Sequence, residues 1–162
     1  MCIRDRSSPS LVGHFQCEGP QGDVSIVNDL VFVSVDTPQP SSECNDLDEA
    51  NEDPPWEGIR IVDISNPATP TQIAAVKTDC GSHTHTLVPD RDHRDPETGE
   101  PSPRVLVYVL SYPLTPNLNA PECNVAQHRK ISVVEVPLDD PTSARVVSTP
   151  DVSPASGNTV TS

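Results

Sequence analysis

Residues Glu57–Val76 read EGIRIVDISNPATPTQIAAV, and this stretch decides the fold. Gly58–Ser65 is a β-type run rich in the β-branched residues Ile and Val. Gly58 lets the chain turn sharply into that strand, and Ile59, Ile61 and Ile64 are free to pack against a neighbouring sheet. Asp63-Ile64-Ser65-Asn66-Pro67 then ends the strand. Asp, Ser and Asn side chains bond nearby backbone groups, while Pro fixes φ for the turn. Thr71–Val76 resumes an extended pattern. Gly58, Asp63, Ser65, Asn66, Pro67 and Pro70 are therefore read as structural.

Working outward, β-type runs occur at 23–27, 30–36, 58–65 and 72–78, and again at 83–89, 104–112, 130–137 and 144–148. Asn28-Asp29 is a two-residue hairpin signal. The connecting stretches 37–57, 90–103 and 113–129 are crowded with Pro, Asp, Glu and Asn. The two groups repeat: a short strand, a strongly apolar strand (LVFVSVD, RVLVYVLSY), a long loop, a third strand, a proline turn and a fourth strand. Ile59, Ile61 and Ile64 answer to Ile131, Val133 and Val136, each 72 residues on, and Pro67 answers to Pro141, 74 on. The second copy thus carries a two-residue insertion. Four strands per repeat indicate a propeller blade. A β-sandwich of about eight strands is the alternative. The reading is an all-β propeller fragment of two four-stranded antiparallel blades, 22–78 and 83–149, behind a lead-in at 7–21 and before a tail at 150–162.

Gly58, Asp63, Ser65, Asn66, Pro67 and Pro70 also fall on the pattern G-hydrophobic-x-hydrophobic-hydrophobic-D-hydrophobic-S-x-P-x-x-P. In this the stretch resembles the LVIVD repeat. The second copy is divergent: Glu135 stands for Asp63, Pro137 for Ser65, and the second turn proline is missing. The resemblance covers about 23–148. It implies a secreted or cell-surface bacterial β-propeller, in a family with no established reaction. Since propellers have roughly 4–8 blades, the remaining blades of a longer chain are the first expected partners. Residues 1–6, MCIRDR, resemble translated sequencing adapter at the start of metagenomic gene predictions and are expected not to pack.

Composition agrees with short strands between long loops. Leu, Ile, Val and Phe make up 38 of 162 residues and proline 19. Valine dominates the apolar set and favours strands, so a helical bundle is excluded. Acids outnumber bases 24 to 10, for a net charge of −14; nucleic acid, which needs clustered Lys and Arg, is not an expected partner. No apolar run approaches the ~20 residues of a membrane span.

Setting aside Cys2, four cysteines remain. Cys17 and Cys80 precede the first strand of their blades, and Cys44 and Cys123 lie in the loops between second and third strands. Strand direction alternates in a meander, so these places share one rim. The repeat favours Cys17–Cys44 with Cys80–Cys123; Cys44–Cys80 is the competing pairing, and four unrelated buried thiols the other reading. Disulfides imply an oxidising, extracellular or surface location. With no C-x-x-C pair, structural zinc lacks support.

Cys80–Thr86 reads CGSHTHT. In an extended strand His83 and His85 share a face, and an imidazole pair suits Cu or Zn. It resembles faintly the histidine-bearing propeller of copper-dependent methanethiol oxidases. Two ligands fall short of the three or four that a stable site needs, and the first copy has Gly22 and Val24 at the corresponding places. The plainer reading has one histidine bonding backbone and the other facing water. His14, His93 and His128 lie in loops. The acidic loop Glu43–Asp53 could attract Ca²⁺, but it lacks an EF-hand's glycine and ligand order and reads as a solvated loop. Trp56 caps the blade or meets a partner. No P-loop, dinucleotide fingerprint or nucleophile elbow occurs. The expectation is a non-catalytic scaffold or binding module for a protein or carbohydrate, without a cofactor, the alternative being a metal-dependent enzyme built on the histidine pair.

Overall fold

The computed structural model describes residues 10–17, 22–44, 55–111 and 130–152. Eight strands form two sheets. In the first, β1 (Val24–Val27), β2 (Leu30–Gln39), β3 (Trp56–Asp63) and β4 (Thr71–Lys77) pair antiparallel in chain order. The second repeats this with β5 (Thr84–Asp90), β6 (Arg104–Leu110), β7 (Ile131–Pro137) and β8 (Arg145–Ser148). Each sheet is thus a four-stranded meander, as expected of a propeller blade. No α-helix occurs among the described residues; a single 3-10 turn, Pro141–Ser143, opens on the turn proline before β8. The segments 1–9, 18–21, 45–54, 112–129 and 153–162 lie outside the described residues, and with them MCIRDR, Cys123, His128, most of the acidic loop and most of the tail.

Alternation sorts the side chains. Leu30, Phe32, Ile59, Ile61 and Val76 from the first sheet are buried in one core with Val105, Val107, Val109, Val134 and Val136 from the second. Burying a side chain of this size stabilises by roughly 1.5–3 kcal/mol. Neither sheet could leave such a face in water, so their mutual contact is the natural outcome.

The local signals act as their chemistry requires. Asn28 takes up φ 53°, the left-handed conformation of a tight hairpin. The Asp63 carboxylate accepts the Ser65 N–H at 2.7 Å, and the Asn66 side-chain oxygen accepts the Ala68 N–H at 3.2 Å. Register slips between Ile61 and Val62 in β3 and between Val133 and Val134 in β7. These irregularities lie 72 residues apart, the spacing at which Ile61 answers to Val133. Glu135, standing for Asp63, has different work: it accepts from Arg104 at 2.5 Å and Arg145 at 2.6 Å, an ion ladder across β6, β7 and β8.

Two boundaries differ from the sequence reading. β2 runs on to Gln39, past an irregular stretch after Val35, and β3 begins at Trp56, which pairs with Gln39. Gly58 therefore lies inside β3, where its role is close approach. A Cβ there would sit 2.0 Å from the Val76 carbonyl oxygen of β4. Gly58→Ala is expected to destabilise the fold by roughly 1–3 kcal/mol, since the adjoining backbone must move; urea denaturation of the two chains measures it.

Candidate functional site

The polar groups of the molecule converge where the second sheet begins. After β4, Cys80 (φ 61°) and Gly81 (φ 74°) are both left-handed, and the Thr78 hydroxyl donates to the Gly81 carbonyl at 2.7 Å. Gly81 is pressed against the first sheet: a Cβ on it would lie 3.0 Å from that of Glu57 and 3.1 Å from the Val35 carbonyl oxygen. This turn lays Ser82–His85 along β2. The Ser82 N–H donates to the Val35 carbonyl at 3.0 Å, and the His83 N–H to the Leu110 carbonyl at 2.9 Å, which opens the β5–β6 pairing.

His83 and His85 both reach back to β2, to residues that themselves alternate onto one face. His83 Nδ1 lies 2.6 Å from Asp36 Oδ2, and the carboxylate is buried while the imidazole remains 40% exposed. His85 is buried, with Nδ1 2.8 Å from Ser34 Oγ, which in turn lies 2.7 Å from Ser82 Oγ. Asp23 accepts the His85 backbone N–H at 3.0 Å, and its Oδ2 stands 3.7 Å from Nδ1. A carboxylate beside Nδ1 favours the proton there, so Nδ1–H donates to Ser34 and the Ser34 hydroxyl to Ser82. That leaves Nε2 as a buried lone pair without a partner among the described residues. The expectation that one histidine bonds backbone and the other faces water is thus replaced by two side-chain contacts across the seam.

Burial pushes the His85 imidazole below its ordinary value, against the pull of Asp23. Glu57, half-buried on β3, is raised to about 7, first by burial and then by Asp36, with Lys77 opposing. These shifts act on stability in opposite senses. Glu57 holds its proton in the folded state between pH 4.5 and about 7, so its contribution fades as pH rises through that window. His85 resists protonation, so its contribution is lost as pH falls below 6.5. Glu57→Gln is expected to raise the melting temperature at pH 8 by on the order of a few degrees and to change little at pH 4; melting curves at the two pH values check this.

No group of three or more His, Cys, Asp and Glu side chains among the described residues is placed to hold a metal ion. His14 is exposed, and His93 stands 3.7 Å from Asp90.

On the opposite face of β3 the sequence reading missed Arg60. It is buried and stacks on Trp56, 5.0 Å from the ring centre. It donates to the Ser41 carbonyl at 3.1 Å and the Ser42 carbonyl at 3.0 Å, and lies 2.9 Å from Cys17 Sγ. Cys17 is disulfide-bonded to Cys44 across 27 residues, with Cα atoms 4.8 Å apart. Arg60 and the disulfide together fix the start of the loop after β2. Burial lowers the Arg60 guanidinium, and Glu43 opposes the shift. The one available signal was spacing: Trp56 and Arg60, four apart on a strand, share a face. The pairing Cys44–Cys80 is overturned, since Cys44 bonds Cys17. Cys80 is itself disulfide-bonded, and Cys123 lies outside the described residues.

Residues 55–78 match the LVIVD repeat family. The first sheet therefore contains an LVIVD repeat, a propeller-type unit, in β3, the proline turn and β4. Neither a curated protein nor a solved structure matches the chain.

Replacing Cys17 and Cys44 together by Ser is expected to remove roughly 3 kcal/mol, the chain-entropy contribution of a bridge of this span. Urea denaturation of the double variant against the oxidised chain checks it.

Proposed function

We propose that the chain is a non-catalytic, extracellular β-propeller module whose disulfide-bearing rim is a binding surface for a protein or carbohydrate, with further blades covering its open sheet faces. The observation that carries this reading is the Cys17–Cys44 bridge with Arg60 beside it. Together they fix the start of the loop after β2 on a propeller-type unit, and loops positioned by a rigid scaffold are where binding residues concentrate. A disulfide of this kind suits an oxidising compartment. Signed charge supports the surface role too, for a net charge of −14 keeps a secreted module soluble.

His85 Nε2 favours a second reading. Asp36 and Ser34 hold Nδ1 of the two imidazoles, an arrangement that orients histidines for Cu or Zn. The described residues supply these two ligands and no third, so the remaining donors would have to come from elsewhere.

Elemental analysis of the purified chain separates the readings. The binding-module reading expects neither Cu nor Zn in stoichiometric amount, and an unchanged melting temperature in EDTA. One Cu or Zn per chain, lost in both His83→Ala and His85→Ala, would overturn it.

A further inference from the structure

The two sulfurs of the Cys17–Cys44 bridge stand in different electrostatic surroundings. Arg60 Nη1 lies 2.9 Å from Cys17 Sγ. The same guanidinium is held from its other sides: Nε donates to the Ser42 carbonyl at 3.0 Å, Nη2 to the Ser41 carbonyl at 3.1 Å, and the Trp56 ring centre is 5.0 Å away. A charge anchored in this way stays beside Cys17 when the bridge opens. Cys44 is positioned by a neutral group, its backbone N–H donating to the Gln72 side-chain oxygen at 3.1 Å. The neighbouring carboxylate is Glu43, which is exposed and acts against Arg60.

A thiolate that attacks a disulfide joins one sulfur and expels the other, and the sulfur whose thiol has the lower pKa leaves faster. A guanidinium beside a cysteine lowers the pKa of its thiol. Both Cys17 and Cys44 are partly exposed. The disulfide at Cys80 is placed the opposite way. Cys80 is buried, and its sulfur lies 3.6 Å from the Asp79 carboxylate, which opposes a thiolate there. Lys130, 3.5 Å from that carboxylate, is itself half-exposed and screened.

We infer that the Cys17–Cys44 bridge is a site of reversible exchange with low-molecular-weight thiols, in which the external thiolate attacks Cys44 and Cys17 leaves as a thiolate paired with Arg60. The new S–S bond joins the thiol to Cys44 Sγ, the Cys17–Cys44 bond breaks, and its electron pair stays on Cys17 Sγ. One disulfide replaces another, with no net oxidation or reduction. The product carries the thiol at the start of the loop after β2, and Cys17 remains in place to expel it by the reverse attack. The exchange goes beyond the binding-module reading and stands whether or not the rim binds another ligand.

Mercaptoethanol, whose adduct is uncharged, tests this on the oxidised full chain. After an early quench with iodoacetamide, peptide mass mapping should find the mercaptoethanol on Cys44 and the alkyl group on Cys17, with the bridge at Cys80 still closed. At equilibrium in a fixed ratio of the thiol to its disulfide, Arg60→Met should open about tenfold less readily than the wild type, the scale of one lost hydrogen bond to a charged group. Its early adduct should no longer favour Cys44. Glu43→Gln, at an exposed position, should open several-fold more readily, because less negative charge faces the Cys17 thiolate. Circular dichroism confirms that the variants fold; if Arg60→Met does not, the wild-type map and Glu43→Gln decide. Mercaptoethanol on Cys17 or divided evenly, a Cys80 bridge that opens first, a folded Arg60→Met that keeps the preference for Cys44, or an opened fraction that neither substitution moves would each overturn the inference. All of these would leave the binding-module reading as it is.

Discussion

Phe32, Ile59 and Ile61 on one sheet and Val105, Val107 and Val109 on the other are fully buried, and they belong to one core. A four-stranded meander has an apolar face that it cannot cover by itself, and a repeat unit meets that constraint by stacking on its neighbour. The contact sets the depth at which the Cys80–Gly81 turn presses on β2. It also removes Ser34, Ser82 and His85 from water, so their polar atoms must pair with one another. The chemistry of the seam is thus a consequence of apolar packing.

Burial then explains the unusual electrostatics. Asp36 lies under the edge of the seam, and the His83 imidazole meets it there. Glu57, close to both Asp36 and the Gly81 turn, is held neutral to higher pH than an ordinary carboxylate. His85, deeper in, is held neutral to lower pH. Each group is held toward its neutral form by burial, as a side chain taken out of water without a full complement of partners requires. Arg60 follows the same logic on the far face: a buried guanidinium is tolerated because two carbonyls accept from it and a Trp ring covers it.

Much of the architecture was legible in the sequence because it depends on local composition and spacing. The LVFVSVD and RVLVYVLSY runs are short, strongly apolar and rich in valine, the make-up of strands, and Asn28-Asp29 leaves few choices for its turn. The 72-residue echo between Ile59–Ile61 and Ile131–Val133 extends to the position of a register shift. Period two placed His83 and His85 on one face, and rim equivalence paired Cys17 with Cys44. What could not be read were partners across the fold. Ser34 and Asp36 are about fifty residues from the histidines they meet, and nothing in a serine or aspartate of an apolar strand says which side chain will lie above it. Arg60 occupies the variable place of the repeat pattern, and Glu57 looks like any charged residue before a strand. Their roles come from burial, which only the packed sheets define.

The central claim is that the sheets stack with His85 sealed between them, its proton on Nδ1. The long-range ¹H–¹⁵N spectrum of the histidines, recorded from pH 5 to 8, addresses it most directly. The account predicts one imidazole in the Nδ1–H form, titrating below 6.5, with cross-relaxation from its ring protons to the Ser34 methylene. An Nε2–H imidazole at position 85, titrating as an exposed histidine does and showing no contact with Ser34, would contradict it.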